Sequence, residues 1–302
     1  MRTQFCDAMV ARSVSPNIVF LTGDLGFMAL EPLQHAMGER FINAGVAEQN
    51  MVSVAAGLAK QGLEAWAYSI APFCYARPFE QIRNDVCFHN LPVRLVGNGG
   101  GYGYGVMGPT HHAIEDYGVL LCLPNMSVYV PVFDEDVPAV VQRAGGSEGA
   151  CYLRLGRGEK PKGFAAPAYA PWRQLARGAG AVVIVVGPLA GTYIEAFEQL
   201  PPAQRPNLWA LSELPLERNP LPDELLAQLW AAALVCVAEE HVSRGSFGAE
   251  MSLHLATRGI PIRRLRHLCA RAHCYDRYGS QSYLRRLSGL DAQSMLAAVA
   301  PS

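Results

Sequence analysis

The sequence predicts two α/β domains in tandem, each a three-layer arrangement of helices around a mainly parallel sheet. Three observations carry this. Short apolar runs alternate with helical patterns from residue 18 to 155. A Gly-, Ala- and Pro-rich stretch without periodicity, 156–180, then interrupts them, and a second alternating series follows. Strands alternating with helices are the pattern of βαβ units, and an aperiodic Gly/Pro stretch is the pattern of a linker.

In the first series, strands are expected at 18–23, EAWAYSI (64–70), VRLVGNG (93–99), SVYVPV (127–132) and CYLRL (151–155). Helices are expected over 49–60, 73–88, 112–122 and 134–144. The second series reads as strand 181–187, helix 190–200, strand NLWALSE (207–213), helix 222–232, strand LVCVAEE (234–240), helix 246–258 and strand IPIRRL (260–265). The domains are therefore expected at 1–164 and 165–302, with no internal repeat.

Composition narrows the functional classes. Half of the 302 residues are hydrophobic and only 17% are charged, so the chain is globular, with surface to spare for a partner. The formal net charge of −1 argues against nucleic acid or an anionic membrane as partner. The opening MRTQFCDAMVARS lacks an apolar signal core, and no apolar run is long enough to span a bilayer. The eight cysteines (6, 74, 87, 122, 151, 236, 269 and 274) are scattered in apolar contexts, as buried reduced thiols are. A cytoplasmic protein is expected.

Several motifs compete for chemistry. Residues 103–108, GYGVMG, satisfy G-x-G-x-x-G, but loop residues separate them from the preceding strand and Pro109-Thr110 from the next helix. A dinucleotide fingerprint needs its first glycine at the strand end, so a mobile loop lining a site is the better reading. Thr110 is placed to cap the following helix, with His111 at its start. Adjacent His111 and His112 point in different directions, which disfavours a metal pair. In HLCARAHC (267–274) His267, Cys269, His273 and Cys274 are interleaved and not set out as a cysteine pair followed by a histidine pair, which disfavours a zinc site, and the arginines at 263, 264, 266, 271 and 277 read as a solvated or partner-facing surface. Glu48, in NAGVAEQN (43–50), is ambiguous by local rules. With Asn43 or a neighbour starting the helix, it is a first-turn carboxylate that the dipole favours by roughly 0.3–1 kcal/mol, or else it is there for chemistry.

The order of motifs resolves this ambiguity. TGDLGF (22–27), FINAGVAEQNM (41–51), AAGLA (55–59), YSIAPF (68–73), RPFEQIRND (77–85), GPTHH (108–112), LPNM (123–126), YLRLGRG (152–158), VAEEH (237–241) and GSFG (245–248) together resemble the C-terminal half of transketolases. The chain is also similar to 1-deoxyxylulose-5-phosphate synthases and, more distantly, to 2-oxo-acid dehydrogenase β subunits. The resemblance implies a pyrimidine-binding (Pyr) domain followed by a transketolase C-terminal domain, and thiamine diphosphate as cofactor. It matches Glu48 to the acid that hydrogen-bonds N1′ of the aminopyrimidine, favouring the imino form that takes the proton from thiazolium C2. It matches Phe73 to the aromatic stacked on the pyrimidine, with Tyr75 walling the same pocket, and Asp24 and Leu25 to residues beside the thiazolium. His111 matches a substrate-facing histidine, and Arg157 and Arg2 match arginines that grip a sugar phosphate. Read from the residues alone, Arg157 is equally a surface arginine after a strand.

Two positions depart from the transketolase pattern. Met107 stands where an Asp reads a ketose hydroxyl, and Gly99 where a histidine ends the preceding strand. A modified sugar, or a donor with fewer hydroxyls, is therefore as well matched as an ordinary ketose phosphate. GDLG (23–26) is not the GDG…N segment that holds Mg²⁺ and diphosphate. The resemblance thus implies a split enzyme, completed by a separate PP-domain subunit that supplies the Mg²⁺ and diphosphate end, as an α₂β₂ assembly. Two-carbon ketol transfer is the expected reaction. The alternatives are a 2-oxo-acid decarboxylating or carboligating enzyme, a non-catalytic scaffold subunit, and a nicotinamide-binding protein using GYGVMG.

Overall fold

The computed structural model describes residues 1–271, 273 and 275–300. Its first half holds strands β1 (Ile18–Thr22), β2 (Phe41–Asn43), β3 (Glu64–Ile70), β4 (Val93–Asn98), β5 (Ser127–Tyr129) and β6 (Cys151–Leu155). Its second half holds β7 (Trp172–Ala176), β8 (Val182–Val186), β9 (Asn207–Leu211), β10 (Glu213–Leu214), β11 (Val235–Glu239) and β12 (Leu265–Cys269). The first sheet has the order β10-β5-β6-β4-β3-β1-β2 and is parallel except for β10, which pairs antiparallel with β5. The second has the order β12-β11-β8-β9-β7, parallel except for β7.

Both faces of the first sheet are buried, which is why its strands read as unbroken apolar runs. Val19, Leu21, Ala65, Ala67, Val93 and Leu95 face one core, while Ile18, Phe20, Trp66, Tyr68 and Val96 face another. The first of these cores continues through Val182, Ile184, Val235 and Val237 of the second sheet, so the halves share hydrophobic interior. β10 adds a further tie, carrying the chain from the second half onto the edge of the first sheet.

The expected strands at 64–70 and 151–155 are found at those positions, and the helix over 49–60 forms as Glu48–Lys60. Other elements differ for local reasons. The stretch 73–88 is not one helix: it breaks into Ala71–Tyr75, Phe79–Gln81 and a π-helical turn Ile82–Cys87, with Pro78 at the first break. Proline removes a helical donor and clashes with the preceding turn. The helix expected over 112–122 starts only at Asp116, after a 3₁₀ turn Pro109–His111. The last strand lies at 265–269 rather than 260–265, displaced past Pro261, and the apparent linker contains β7. Helices Arg2–Arg12, Glu31–Met37, Gln281–Ser288 and Ala292–Val299 lie outside the expected elements.

Among the described residues, Cys6, Cys74, Cys87, Cys151 and Cys236 are free and buried, Cys269 is free and half-buried, and Cys122 is free and exposed. Cys274 lies outside the described residues. No helix among them is long and apolar enough to cross a membrane.

Candidate active site

Parallel strands share a direction, so the loops after their carboxyl ends gather on one side of the sheet, where open α/β sheets bind ligands. β1 leads into Gly23, Asp24 and Leu25; β2 into Asn43–Glu48; β3 into the turn that carries Phe73; β4 into the glycine-rich loop; and β6 into Gly156 and Arg157. Most of the candidate residues thus converge through topology alone.

Glu48 is the first residue of helix Glu48–Lys60, preceded by Ala47, whose side chain caps nothing. Asn43 is not the helix start. Its Oδ1 accepts from the backbone N–H of Asp24 (3.1 Å) and of Gly45 (2.9 Å), and its Nδ2 donates to Asp24 Oδ1 (2.8 Å). This clamp ties the β1 and β2 loops together with Asp24 in the left-handed region (φ 53°). Glu48 is only 4% exposed, as sequence reasoning suspected of an acid set in an apolar run. Behind it Met51, Val52, Ala55, Ala56 and Ala59 are buried, so small side chains bring the helix close against the sheet.

Among the described residues Glu48 has one charged partner. Arg77 Nη1 donates to its Oε1 at 2.7 Å. The same guanidinium lies over the ring of Phe73, 4.0 Å from its centroid. Sequence reasoning did not single out Arg77, although it opens the RPFEQIRND segment four residues after Phe73. Beside Glu48, a Cβ on Gly23 would sit 3.6 Å from the Gly45 carbonyl oxygen, 3.7 Å from Glu48 Cγ and 3.7 Å from Ser69 Oγ. Ser69 Oγ is buried and, among the described residues, has no hydrogen-bond partner.

His111 meets Phe73 edge-on, with ring centroids 5.1 Å apart, and the ring of Tyr104 at 6.4 Å. Its Nδ1 pairs with Thr110 Oγ1 at 2.9 Å, so Thr110 orients the imidazole instead of capping a helix. Partial burial and then the positive charge of Arg77 hold the His111 pKa below its ordinary value, so the ring is neutral at pH 7. His112 points the other way, edge-on to Tyr102, with Nε2 donating to the Gly105 carbonyl oxygen at 3.3 Å. Burial lowers its pKa too.

The glycine-rich loop is packed tightly and does not form an open phosphate cradle. A Cβ on Gly99 (φ +80°) would strike Tyr104 at 2.1 Å, and one on Gly100 would strike Arg154 at 2.4 Å. Asn98 Nδ2 donates to the Tyr104 hydroxyl at 2.6 Å. Tyr104 thereby forms a wall between His111 and a cleft of about 350 Å³ lined by Arg2, Asn98, Gly99, Asp134 and Arg157. Arg2 and Arg157, far apart in the chain, share that cleft. Asp24, Leu25, Phe27 and Asn43 line a second cleft of about 210 Å³.

Tyr75 is buried, and its hydroxyl donates to Glu115 Oε2 at 3.2 Å. His273 Nε2 pairs with Glu115 Oε1 at 2.5 Å and its ring stacks at 6.1 Å on His112. Burial pushes the Glu115 carboxyl up, but the hydrogen bond and charge of His273, the Tyr75 hydroxyl and the charge of His241 together outweigh it and hold the carboxyl below its ordinary value. The histidines of the 267–274 segment thus separate. His273 serves Glu115, while His267 pairs with Glu239 at 2.7 Å, which also accepts from the backbone N–H of Phe247 (3.1 Å) and Gly248 (2.7 Å). Arg266 Nη1 donates to the Ala297 and Ala298 carbonyls at the end of the last helix. Met107 is 56% exposed.

Comparison with known proteins matches these features. Residues 4–162 match the model described as transketolase, pyrimidine binding domain. One subunit of the apulose-4-phosphate transketolase of Actinobacillus succinogenes is 28% identical over 270 residues, covering 88% of this chain and 86% of that protein. The 1-deoxy-D-xylulose-5-phosphate synthase of Syntrophotalea carbinolica is 30% identical over 269 residues, covering 86% of this chain but 41% of the synthase, so the chain spans about two fifths of that enzyme. A solved structure titled split gene transketolase, inactive beta4 tetramer, superposes with a TM-score of 0.83 at 30% identity, covering 99% of this chain and 96% of that one. Transketolase from Leishmania mexicana shares the fold, with a TM-score of 0.76 at 18% identity, covering 99% of this chain and 46% of that one.

Proposed function

Because this chain belongs to the transketolase family through its pyrimidine-binding domain, and that family depends on thiamine diphosphate, we propose that it is one subunit of a split transketolase-like enzyme. The reaction is transfer of a two-carbon ketol unit from a ketose, ordinary or modified, to an aldehyde acceptor. Residues 1–164 form the Pyr domain and 165–302 the transketolase C-terminal domain. A separate PP-domain subunit holds Mg²⁺ and the diphosphate, in an α₂β₂ assembly.

The observation that carries this reading is that a single guanidinium, Arg77, reaches both the buried carboxylate of Glu48 and the face of Phe73, with the His111 ring 5.1 Å from that of Phe73. The residues fit the cofactor's pyrimidine. A flat cation already lies between Phe73 and Glu48, and the unpartnered Ser69 hydroxyl beside Gly23 offers a further hydrogen bond. When bound, thiamine diphosphate supplies a carbon nucleophile that adds to the substrate carbonyl. Glu48 shares a proton with the pyrimidine in a site where exclusion of water strengthens the hydrogen bond. Phe73 holds the ring plane, Asp24 balances positive charge at the thiazolium end, and Leu25 supports the bent shape. His111, held neutral and oriented by Thr110, presents Nε2 to the substrate oxygen. Arg2 and Arg157 bind the phosphate end in the cleft beyond Tyr104.

Exposed apolar side chains around these loops support a partner surface. Phe27 and Met28 are 83% and 79% exposed, and Val46, Val106 and Met107 are exposed nearby. Isolated exposed apolar residues are ordinary, but several on loops that converge on one site mark an interaction surface. The names of the similar apulose-4-phosphate transketolase subunit and split-gene transketolase point the same way.

The second reading is a decarboxylating enzyme of the deoxyxylulose type. The likeness to the synthase favours it, as does the loss of both hydroxyl readers at Gly99 and Met107. The test is to assemble the chain with its PP-domain partner, Mg²⁺ and thiamine diphosphate, and to offer ketose phosphates and pyruvate separately. Ketol transfer to an aldehyde without CO₂ release is expected. Release of CO₂ from pyruvate would replace the transferase reading with the second.

A further inference from the structure

Arg77 makes, at one time, both contacts that the proposed function gives to the cofactor's pyrimidine. Its guanidinium stacks 4.0 Å from the centroid of Phe73 and donates to Glu48 Oε1 at 2.7 Å. We propose that Arg77 is an internal stand-in for the aminopyrimidine, filling its slot in the unloaded chain and leaving it for solvent when thiamine diphosphate binds. This rests on the reading of Glu48 and Phe73 given above and adds a residue that competes for them.

The chemistry of the two groups explains the substitution. A guanidinium is planar, delocalised and weakly hydrated, so it stacks on an aromatic face and hydrogen-bonds a carboxylate in its own plane. An aminopyrimidine is likewise a flat nitrogen-bearing ring. One face of Phe73 accommodates one such plane at van der Waals distance, so the two exclude each other. Without a partner, the buried carboxylate of Glu48 would be costly, and Arg77 relieves that cost before loading. Arg77 also keeps the site idle, because a guanidinium does not give up its proton at working pH and cannot share one with Glu48 as catalysis requires.

The two partners differ in freedom. Glu48 is fixed at a helix start and buried, whereas the Arg77 side chain is 45% exposed. Among the described residues, its hydrogen bond to Glu48 and its stacking on Phe73 are the contacts that hold it. It follows a short helical segment, Ala71–Tyr75, at the break before Pro78, with solvent open to its head group. The competing state lowers apparent cofactor affinity by the fraction of chains in which the slot is free.

The test measures cofactor binding, not turnover. Thiamine diphosphate with Mg²⁺ is titrated into the assembled complex of the full chain and its PP-domain partner, followed by intrinsic fluorescence or calorimetry. For Arg77→Ala, binding is expected to tighten about fivefold, the scale of a half-exposed ion pair. Arg77→Gln, which still hydrogen-bonds Glu48 without the charge, is expected to tighten binding less and guards against a folding defect in the alanine variant. In parallel, the cofactor-free Arg77→Ala complex should melt below wild type, and the gap should close when cofactor is added. Unchanged or weaker binding in both variants would overturn the proposal while leaving the cofactor reading intact. Absence of thiamine diphosphate binding by wild type and variants alike would remove that reading, and the stand-in with it.

Discussion

Two buried carboxylates in this molecule, Glu48 and Glu240, each pair with an arginine, and they are built in opposite ways. Glu240 and Arg285 are both 2% exposed. Arg285 Nε donates to Glu240 at 2.8 Å, Gln281 Nε2 reaches both of its oxygens, and Arg285 Nη1 goes on to Glu159 at 2.8 Å and Thr192 at 3.3 Å. Nearby, Arg154 joins the two halves through Asp116 (2.7 Å) and the carbonyls of Ala113 and Glu240. Glu48 instead has, among the described residues, a single arginine whose side chain is 45% exposed. The over-determined pair is held from several sides, with Arg285 reaching on to Glu159 in the first half. On the proposed reading, the singly held pair leaves its carboxylate free to exchange Arg77 for a ligand. Under that reading burial of a charge does not by itself separate a structural from a functional carboxylate; the number of its partners does.

The contrast is open to test, beginning with the largest effect. Glu48→Ala in the assembled complex should lower kcat by roughly 10²–10⁴, the loss expected for an acid–base partner, with little change in the chain's melting temperature. A fully active variant would end the assignment. Arg285→Ala should do the reverse, costing about 3–5 kcal/mol in urea unfolding because Glu240 is left buried without its counter-ion. Turnover per folded molecule should hold, and a stability loss as small as that of a surface mutation would erase the distinction between the two pairs.

Arg157→Met should raise KM for a phosphorylated substrate about ten- to a hundredfold, as for a lost charge-assisted hydrogen bond of about 1.5–3 kcal/mol, with little effect on a non-phosphorylated analogue. Equal loss for both substrates would make it a structural residue. The smallest effect is that of pH on stability. His111 and His112 are held below the ordinary 6.5, so on acidification the unfolded chain takes up their protons first. Their contribution is complete above pH 6.5 and is lost as pH falls through their folded values. The urea midpoint should therefore decline between about pH 7 and 5, and more shallowly in His112→Gln; identical slopes would assign the decline to other groups.

Much of the proposed site was legible in the chain because its residues lie in short segments next to strand ends. Glu48, Phe73 and His111 lie in contiguous motifs, and a parallel sheet brings such segments together whatever the detailed packing. Arg77 was not legible as a site residue, although its segment was conspicuous, because an arginine after a helical turn is ordinary until its head group is seen on Glu48. The glycine-rich loop misled in the other direction. Its glycines answer to Tyr104 and Arg154 pressing on the backbone, a demand that the G-x-G-x-x-G spacing does not express. Breaks at Pro78 and Pro261 were visible as residues but not as boundaries, since apolar periodicity continued across both.

Alternation of apolar and helical runs by itself determined two α/β halves, because strands buried on both faces must be apolar throughout and crossovers must be helical. Local order also determined which side of the first sheet would carry the chemistry. Only the tertiary structure decided that Arg2 and Arg157 share a cleft, that β10 returns to the first sheet, and that Glu48 faces Arg77 while Glu240 is sealed by Arg285. These are contacts between residues distant in the chain or side chains whose direction is set by packing. A one-dimensional pattern specifies period and propensity, but it does not specify which charges meet.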